Sequence, residues 1–277
     1  MFFFPISVIL AGNDNLPIGA RSVGMGNSSV MIYDVWSAHQ NQAGLARLTN
    51  IELGFSHENR FLSDKLGYQA FVIAVPTNSG TFSAEINYFG YSSYNESKIG
   101  IGYGKKLLDK LSIGIQLDYI NNYIADIYGN AGNVAAEVGI LAEPYENFFI
   151  GAHVFNPTKS KIADYNEERI PTIIKFGMGY KFSDKLIISC ETEKDLDYKP
   201  SYKAGVEFMV KENVFVRGGV MVLNSYQNTN TFRSCFGIGY VLSGFHADLA
   251  FSTDPILGLT PHVSVSYRFN KSLIKNE

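Results

Sequence analysis

The chain has 277 residues, of which 46% are hydrophobic, 14% aromatic and only 18% charged, and its 23 basic and 26 acidic residues leave a net charge of −3. An ordinary soluble domain carries about 25% charged residues, so this charge-poor, aromatic-rich composition excludes disorder and coiled coil, and the lack of any Lys/Arg cluster excludes an electrostatic footprint for nucleic acid. No run reaches the ~18 uncharged apolar residues of a transmembrane helix, which excludes a helical membrane protein.

The chain opens on the apolar stretch Met1 to Ala11, which has the length of a secretory signal core but not its basic start; residues 1–11 read as a signal peptide. Residues 12–49 follow without regular alternation. In them Gly24 and Gly26 permit tight backbone turns, and Asp34 is placed to N-cap a short helix over residues 34–47.

From residue 50 the pattern changes to period two. Ile99, Ile101 and Tyr103 alternate with Gly100, Gly102 and Gly104, and Leu111, Ile113, Ile115, Leu117 and Tyr119 alternate with Ser112, Gly114, Gln116 and Asp118. Such a dyad makes a strand with one apolar and one polar or tiny face. It recurs through Ile174 to Phe182, Tyr202 to Phe208, Phe245 to Phe251 and Val263 to Phe269. The strands are predicted at 50–61, 66–77, 80–93, 96–107, 111–123, 132–143, 147–157, 170–182, 186–197, 200–210, 214–224, 231–242, 245–254 and 259–269.

The connections carry a second pattern. Tight turns at residues 77–80, 108–110, 145–147, 183–185, 211–213 and 243–244 alternate with longer polar connections such as 121–133, 156–170 and 224–231. A soluble sandwich has no reason to sort its turns by length, whereas an outer-membrane barrel has an even strand number, short periplasmic turns and longer external loops. Tyr and Phe at strand ends, including Tyr88, Tyr119, Tyr180, Tyr240 and Phe269, match interfacial aromatic girdles. The predicted fold is therefore all-β: a 14-stranded antiparallel transmembrane β-barrel over residues 50–269, with periplasmic termini and a tail at 270–277. Fourteen strands enclose more space than inward side chains fill, so residues 12–49 are assigned to the lumen as a plug containing a short helix.

The segment Gly19-Ala20-Arg21-Ser22-Val23-Gly24-Met25-Gly26, followed by Asn41-Gln42-Ala43-Gly44-Leu45, resembles the N-terminal hatch signature of the FadL superfamily of outer-membrane barrels, with Gln42 where that family usually has Pro. The resemblance implies hatch roles for Gly19, Arg21, Gly24, Met25, Gly26, Asn41 and Gly44. In size and hatch wording the chain is similar to the PorV/PorQ-like branch, which implies an accessory of a type IX secretion system acting on machinery or cargo proteins. The alternative is passive uptake of hydrophobic small molecules such as fatty acids.

Alternation places charges in the lumen: Glu85, Asp118, Glu137, Lys175, Arg217, Arg233, His246 and Asp248, acidic residues dominating the early strands and basic ones the later. They read first as a network anchoring the hatch through Arg21, since buried charges need partners, and second as a polarised ligand path. Phe89, Phe149, Phe155, Phe215 and Met221 also point inward and would line an apolar pocket. The five histidines show no metal or hydrolase spacing, so no catalytic residue, metal or cofactor is expected; His246 with Asp248 is the best enzymatic pair. Cys190 is assigned to the lipid face and Cys235 to the lumen, as free thiols. Outer-membrane lipid is the expected surrounding partner.

Overall fold

In the computed structural model the chain forms a closed antiparallel barrel of fourteen strands, each hydrogen-bonded to its sequence neighbours and the last to the first. The structure describes residues 15, 17–125, 129–161, 170–224 and 230–270. The proposed signal stretch and the tail from 271 onward lie outside the described residues. The first seven strands are β1 (Glu52–Asn59), β2 (Gly67–Pro76), β3 (Thr81–Tyr91), β4 (Tyr94–Leu108), β5 (Leu111–Ile124), β6 (Gly129–Tyr145) and β7 (Phe148–Phe155). The second seven are β8 (Ile173–Ser183), β9 (Leu186–Asp195), β10 (Ser201–Lys211), β11 (Val214–Asn224), β12 (Asn230–Leu242), β13 (Phe245–Asp254) and β14 (Gly258–Arg268). Pairs from Glu52 with Arg268 to Glu58 with His262 close the barrel.

The period-two pattern sets which way each side chain faces. Ile99, Ile101, Ile115, Leu117, Phe176, Phe182 and Phe208 project outward and are exposed, whereas Glu85, Gln116, Asp118 and Glu137 project inward and are buried. A one-residue slip would exchange the two faces, so the pattern also pins the register. Register shifts fall only beside the tight turns, at Lys106/Leu108, Ala142/Tyr145, Lys181/Ser183 and Met209/Lys211. Of the tight turns at this end, those at Asn147, Asn213 and Gly244 use residues that tolerate a left-handed backbone, with φ of 62°, 71° and 90°. Near the same end, aromatic rings pair on the outer face: Phe82 with Tyr103 at 4.8 Å, Tyr180 with Phe182 at 4.7 Å and Phe245 with Tyr267 at 4.4 Å between centroids.

The opposite end departs from the expected parity. Only Ser92 and Ser93 join β3 to β4, while the chain from Asn156 to Thr172 separates β7 from β8. The predicted loop at 121–133 is mostly strand, because β5 and β6 remain paired as far as Ile124 with Gly129. Its Asn- and Gly-rich residues carry no apolar alternation, so backbone pairing alone extends that hairpin. β6 reaches 17 residues beside a β7 of only 8, and the rim is correspondingly tall over β4–β6. Past β7, Asn156 turns with φ of 50°; its N–H donates to Ala136 O at 2.8 Å and its amide to Ile170 O at 2.8 Å.

Residues 17–49 run inside the barrel and supply half of the buried apolar residues among those described. Helix α1 (Ala20–Gly24), helix α2 (Ser37–Gln40) and a 3-10 turn at Gln42–Arg47 are the local elements. Asp34 is not the helix N-cap: its carboxylate accepts from Trp36 N–H at 2.9 Å, one turn ahead of α2, and Asn41 instead caps the 3-10 turn by accepting from Ala43 N–H. Ile18, Val23, Met25, Trp36 and Leu45 are almost wholly buried, so the apolar residues that a soluble protein would pack between sheets here pack against a barrel's inner wall.

Candidate functional site: the inner charge network and the chamber above it

The segment approaches the wall closely because the wall is lined with glycine at the points of contact. Gly26 has φ of +62°, and a Cβ there would lie 2.8 Å from Ala204 O and Val220 N, so the chain can turn against β10 and β11 only without a side chain. Across from it, Gly205 and Gly219 leave room for the Met25 backbone. The inward glycines that read as the tiny face of each strand are thus the seat of the N-terminal segment.

Three polar clusters hold that seat. In the first, Arg21 of α1 donates to Glu207 at 2.7 and 2.9 Å and to Asp34 at 3.0 Å. Arg217 donates to the same Glu207 at 2.5 Å and to Asp248 at 2.6 Å. Burial opposes the charge on Arg21, but Glu207 and Asp34 more than compensate and hold its pKa above the ordinary value. In the second, Glu191 on β9 accepts the backbone N–H groups of Ser29 and Val30, both at 2.9 Å, and Lys203 at 3.2 Å. Lys203 also reaches Glu193 at 2.7 Å.

The third cluster brings together Glu85, Asp118 and Glu137, whose nearest oxygens lie within 4.8 Å of one another in a geometry that could hold a metal ion. The ammonium of Lys98 stands among them, 2.6 Å from Glu85, 2.9 Å from Glu137 and 3.8 Å from Asp118. His39 of α2 contacts Glu85 at 3.2 Å, Gln42 donates to Glu137 at 2.6 Å and His153 meets Glu137 at 2.9 Å. A buried carboxylate trio needs a cation, and the chain's own lysine supplies one. Lys98 escaped the sequence reading although its even number on β4 puts it on the lumen face with Gly100 and Gly102. Gln42, the departure from the hatch signature, is also part of this cluster.

The remaining sequence-predicted residues sort unevenly. Gly19 N–H donates to Ser56 Oγ at 3.2 Å, and Asn41 Nδ2 donates to Val30 O at 2.7 Å and Ile140 O at 3.0 Å. Gly24 packs against Gly237, and Gly44 against Ser37. Arg233 stands apart near the rim, paired with Asp254 at 2.6 Å. Asp248 is engaged by Arg217 rather than by His246, so the geometry does not assemble the His246–Asp248 pair. The expected polarity between acidic early and basic late strands dissolves into locally mixed clusters, because most buried charges find a counterion one or two strands away or on the segment.

The five residues expected to line one apolar pocket are dispersed. Phe89 and Phe155 share a small side pocket with Tyr68 and Ile120. Phe149 packs on Tyr33 at 5.8 Å between centroids, Phe215 lies under Arg217, and Met221 borders a separate, larger chamber. Cys190 is exposed on the outer face and Cys235 is buried, both as free thiols.

The chamber is about 540 Å³. Asn27, Ser29 and Gln40 of the N-terminal segment form its floor, and Arg60, Lys199, Asp254 and Thr260, beside the β1–β2, β9–β10 and β13–β14 connections, surround its mouth. Asn15 and His39 border both chamber and side pocket. The space therefore lies between the seated segment and the longer-looped end.

No family model matches the sequence, and no curated protein matches it. Solved structures do resemble it. The Ralstonia pickettii toluene transporter TbuX superposes with a TM-score of 0.72 at 12% identity, covering 91% of this chain and 98% of that one. The Pseudomonas putida toluene transporter TodX gives 0.69 at 12% identity, covering 93% and 100%. A Pseudomonas aeruginosa FadL homologue gives 0.63 at 12% identity, covering 92% and 99%. At this identity the likeness establishes architecture: the chain has the fold of the FadL-type fourteen-stranded barrels.

Proposed function

We propose that this chain is an outer-membrane barrel that admits small molecules passively from its longer-looped side, with residues 17–49 as the hatch and both chain ends on the periplasmic side. The observation that carries the reading is the 540 Å³ chamber seated on the N-terminal segment within a FadL-type fold. An outer face of exposed Ile, Leu, Val and Phe far exceeds the few hundred Å² of contiguous apolar surface that a water-soluble monomer tolerates, which supports placement in lipid. The solved structures it resembles include toluene transporters, and this favours uptake over the secretion-accessory role. A hydrophobic ligand of the kind first expected would find apolar lining at Tyr68, Phe89, Ile120 and Phe155. The test is swelling of liposomes carrying the full chain in iso-osmotic small solutes, against protein-free liposomes. Accelerated swelling supports uptake, and equal rates for every solute oppose it.

The PorV/PorQ-like reading keeps one supporting observation. The hatch is tied down by the part-buried ion pair from Arg21 to Glu207 and by the buried contact of His39 with Glu85, as suits a permanently plugged barrel that works through partners. Affinity isolation of the tagged chain from outer membranes in mild detergent separates the two. Stoichiometric secretion-machinery or cargo proteins would displace the uptake reading, and a solitary barrel would remove the accessory one.

A further inference from the structure

The fold resembles hydrocarbon transporters, but the chamber walls are built for a different kind of solute. Lys175 and Lys203 with Glu193 form one wall, and Arg233 with Asp254 lies beside Met221 on another. An apolar molecule entering here would strip water from ion pairs and return no hydrogen bonds, and burying such groups uncompensated is costly. Most of the charges are mutually satisfied: Lys203 by Glu191 and Glu193, Arg233 by Asp254, and Arg60 by Glu58 at 2.8 Å. Lys175 is the exception. Its side chain is 9% exposed, and its one ion-pair contact among the described residues is Glu193 at 3.8 Å, beyond hydrogen-bond length and on a carboxylate that Lys203 already holds at 2.7 Å. A buried ammonium on the chamber wall without an acceptor at bonding distance leaves donors for an incoming anion.

We infer that the chamber takes a small, water-soluble organic anion of the carboxylate class, with Lys175 as its anchoring cation, rather than a hydrocarbon. The inference rests on the uptake reading but departs from the cargo of the barrels it resembles. The residues bordering the chamber supply charge and hydroxyl groups, including Ser252, Thr253 and Thr260, which suit the polar remainder of such a solute. The volume is in the usual range of ~300–1,000 Å³ for small-molecule sites.

Equilibrium dialysis of the detergent-purified full chain against radiolabelled succinate and, separately, radiolabelled toluene tests this, with Lys175→Gln and Lys175→Arg as variants. Native-like mobility on unheated gels certifies that each variant is folded. The expected result is saturable succinate binding that falls at least tenfold in Lys175→Gln and recovers in Lys175→Arg, while toluene only partitions as it does into empty micelles. Saturable toluene binding without succinate binding, or succinate binding indifferent to Lys175→Gln, overturns the inference while leaving uptake intact. Absence of both ligands overturns it too, and liposome swelling then decides independently whether the uptake reading falls with it.

Discussion

Replacing Glu191 by Gln isolates how firmly the N-terminal segment is seated. The Glu191 carboxylate accepts two backbone N–H groups of the segment at 2.9 Å and Lys203 at 3.2 Å. Hydrogen bonds to a charged group contribute about 1.5–3 kcal/mol and neutral ones about 0.5–1.5. If the amide oxygen faces Ser29 and Val30, each of those bonds weakens by about 1 kcal/mol, and the amide NH2 then faces the Lys203 ammonium, donor against donor, removing about 1–2 more. The Lys203 bond lies within the barrel wall, so the seat itself is weakened by the two segment bonds, about 2 kcal/mol, roughly a 30-fold rise in the released fraction at tenfold per 1.4 kcal/mol. The single tryptophan, Trp36, lies in the segment and is 2% exposed, so its fluorescence reports the segment while unheated-gel mobility reports the barrel. In a urea titration in detergent the Trp36 transition of Glu191→Gln should move down by about 1 M, taking a slope of ~1–3 kcal/mol/M, and separate from the barrel transition, which loses only the wall bond to Lys203. An unmoved Trp36 transition, or Trp36 emission already typical of water in the wild type, would refute the account of how the segment is held.

Other expectations bear on facing and charge. Ile115→Arg puts a charge on the outer face and should destabilise the barrel by about 2–4 kcal/mol if it meets mid-bilayer lipid; undiminished assembly in a folding assay would count against that facing. Gly114→Arg, one residue along, should leave the barrel assembled but displace the N-terminal segment, because even a Cβ there collides with Gln42 and Ala43, and increased protease cleavage before residue 50 would show it. Arg217→Met strands Asp248 and takes one partner from Glu207; losing one side of such a buried pair costs about 3–5 kcal/mol, visible as a lowered melting temperature of the folded band. An apolar maleimide should label Cys190 in the folded protein and Cys235 only after unfolding; equal labelling of both would contradict the strand facing at one of them.

The amino-acid sequence by itself determined the barrel. Strict alternation from residue 50 reports facing directly, because the period of a strand is two wherever it lies, and strands such as β11 and β13 fall at the predicted bounds. The tight turns were equally legible, since Asn147, Asn213 and Gly244 carry the backbone angles that two-residue turns require. The upper hairpin of β5 and β6 was not, because beyond the apolar zone pairing needs no hydrophobic pattern. Alternation also placed Glu85, Asp118, Glu137, Arg217 and Asp248 in the lumen without saying which charge meets which. Partnership across a closed barrel depends on strand order, shear and the path of the segment inside. Tertiary structure alone decided that Lys98 stands among the acidic trio, that Asp248 serves Arg217 instead of His246, and that the inward phenylalanines are scattered. It also decided that the large chamber is lined by charge and hydroxyl groups, because a cavity is the space left between elements distant in sequence, and no local pattern encodes its walls.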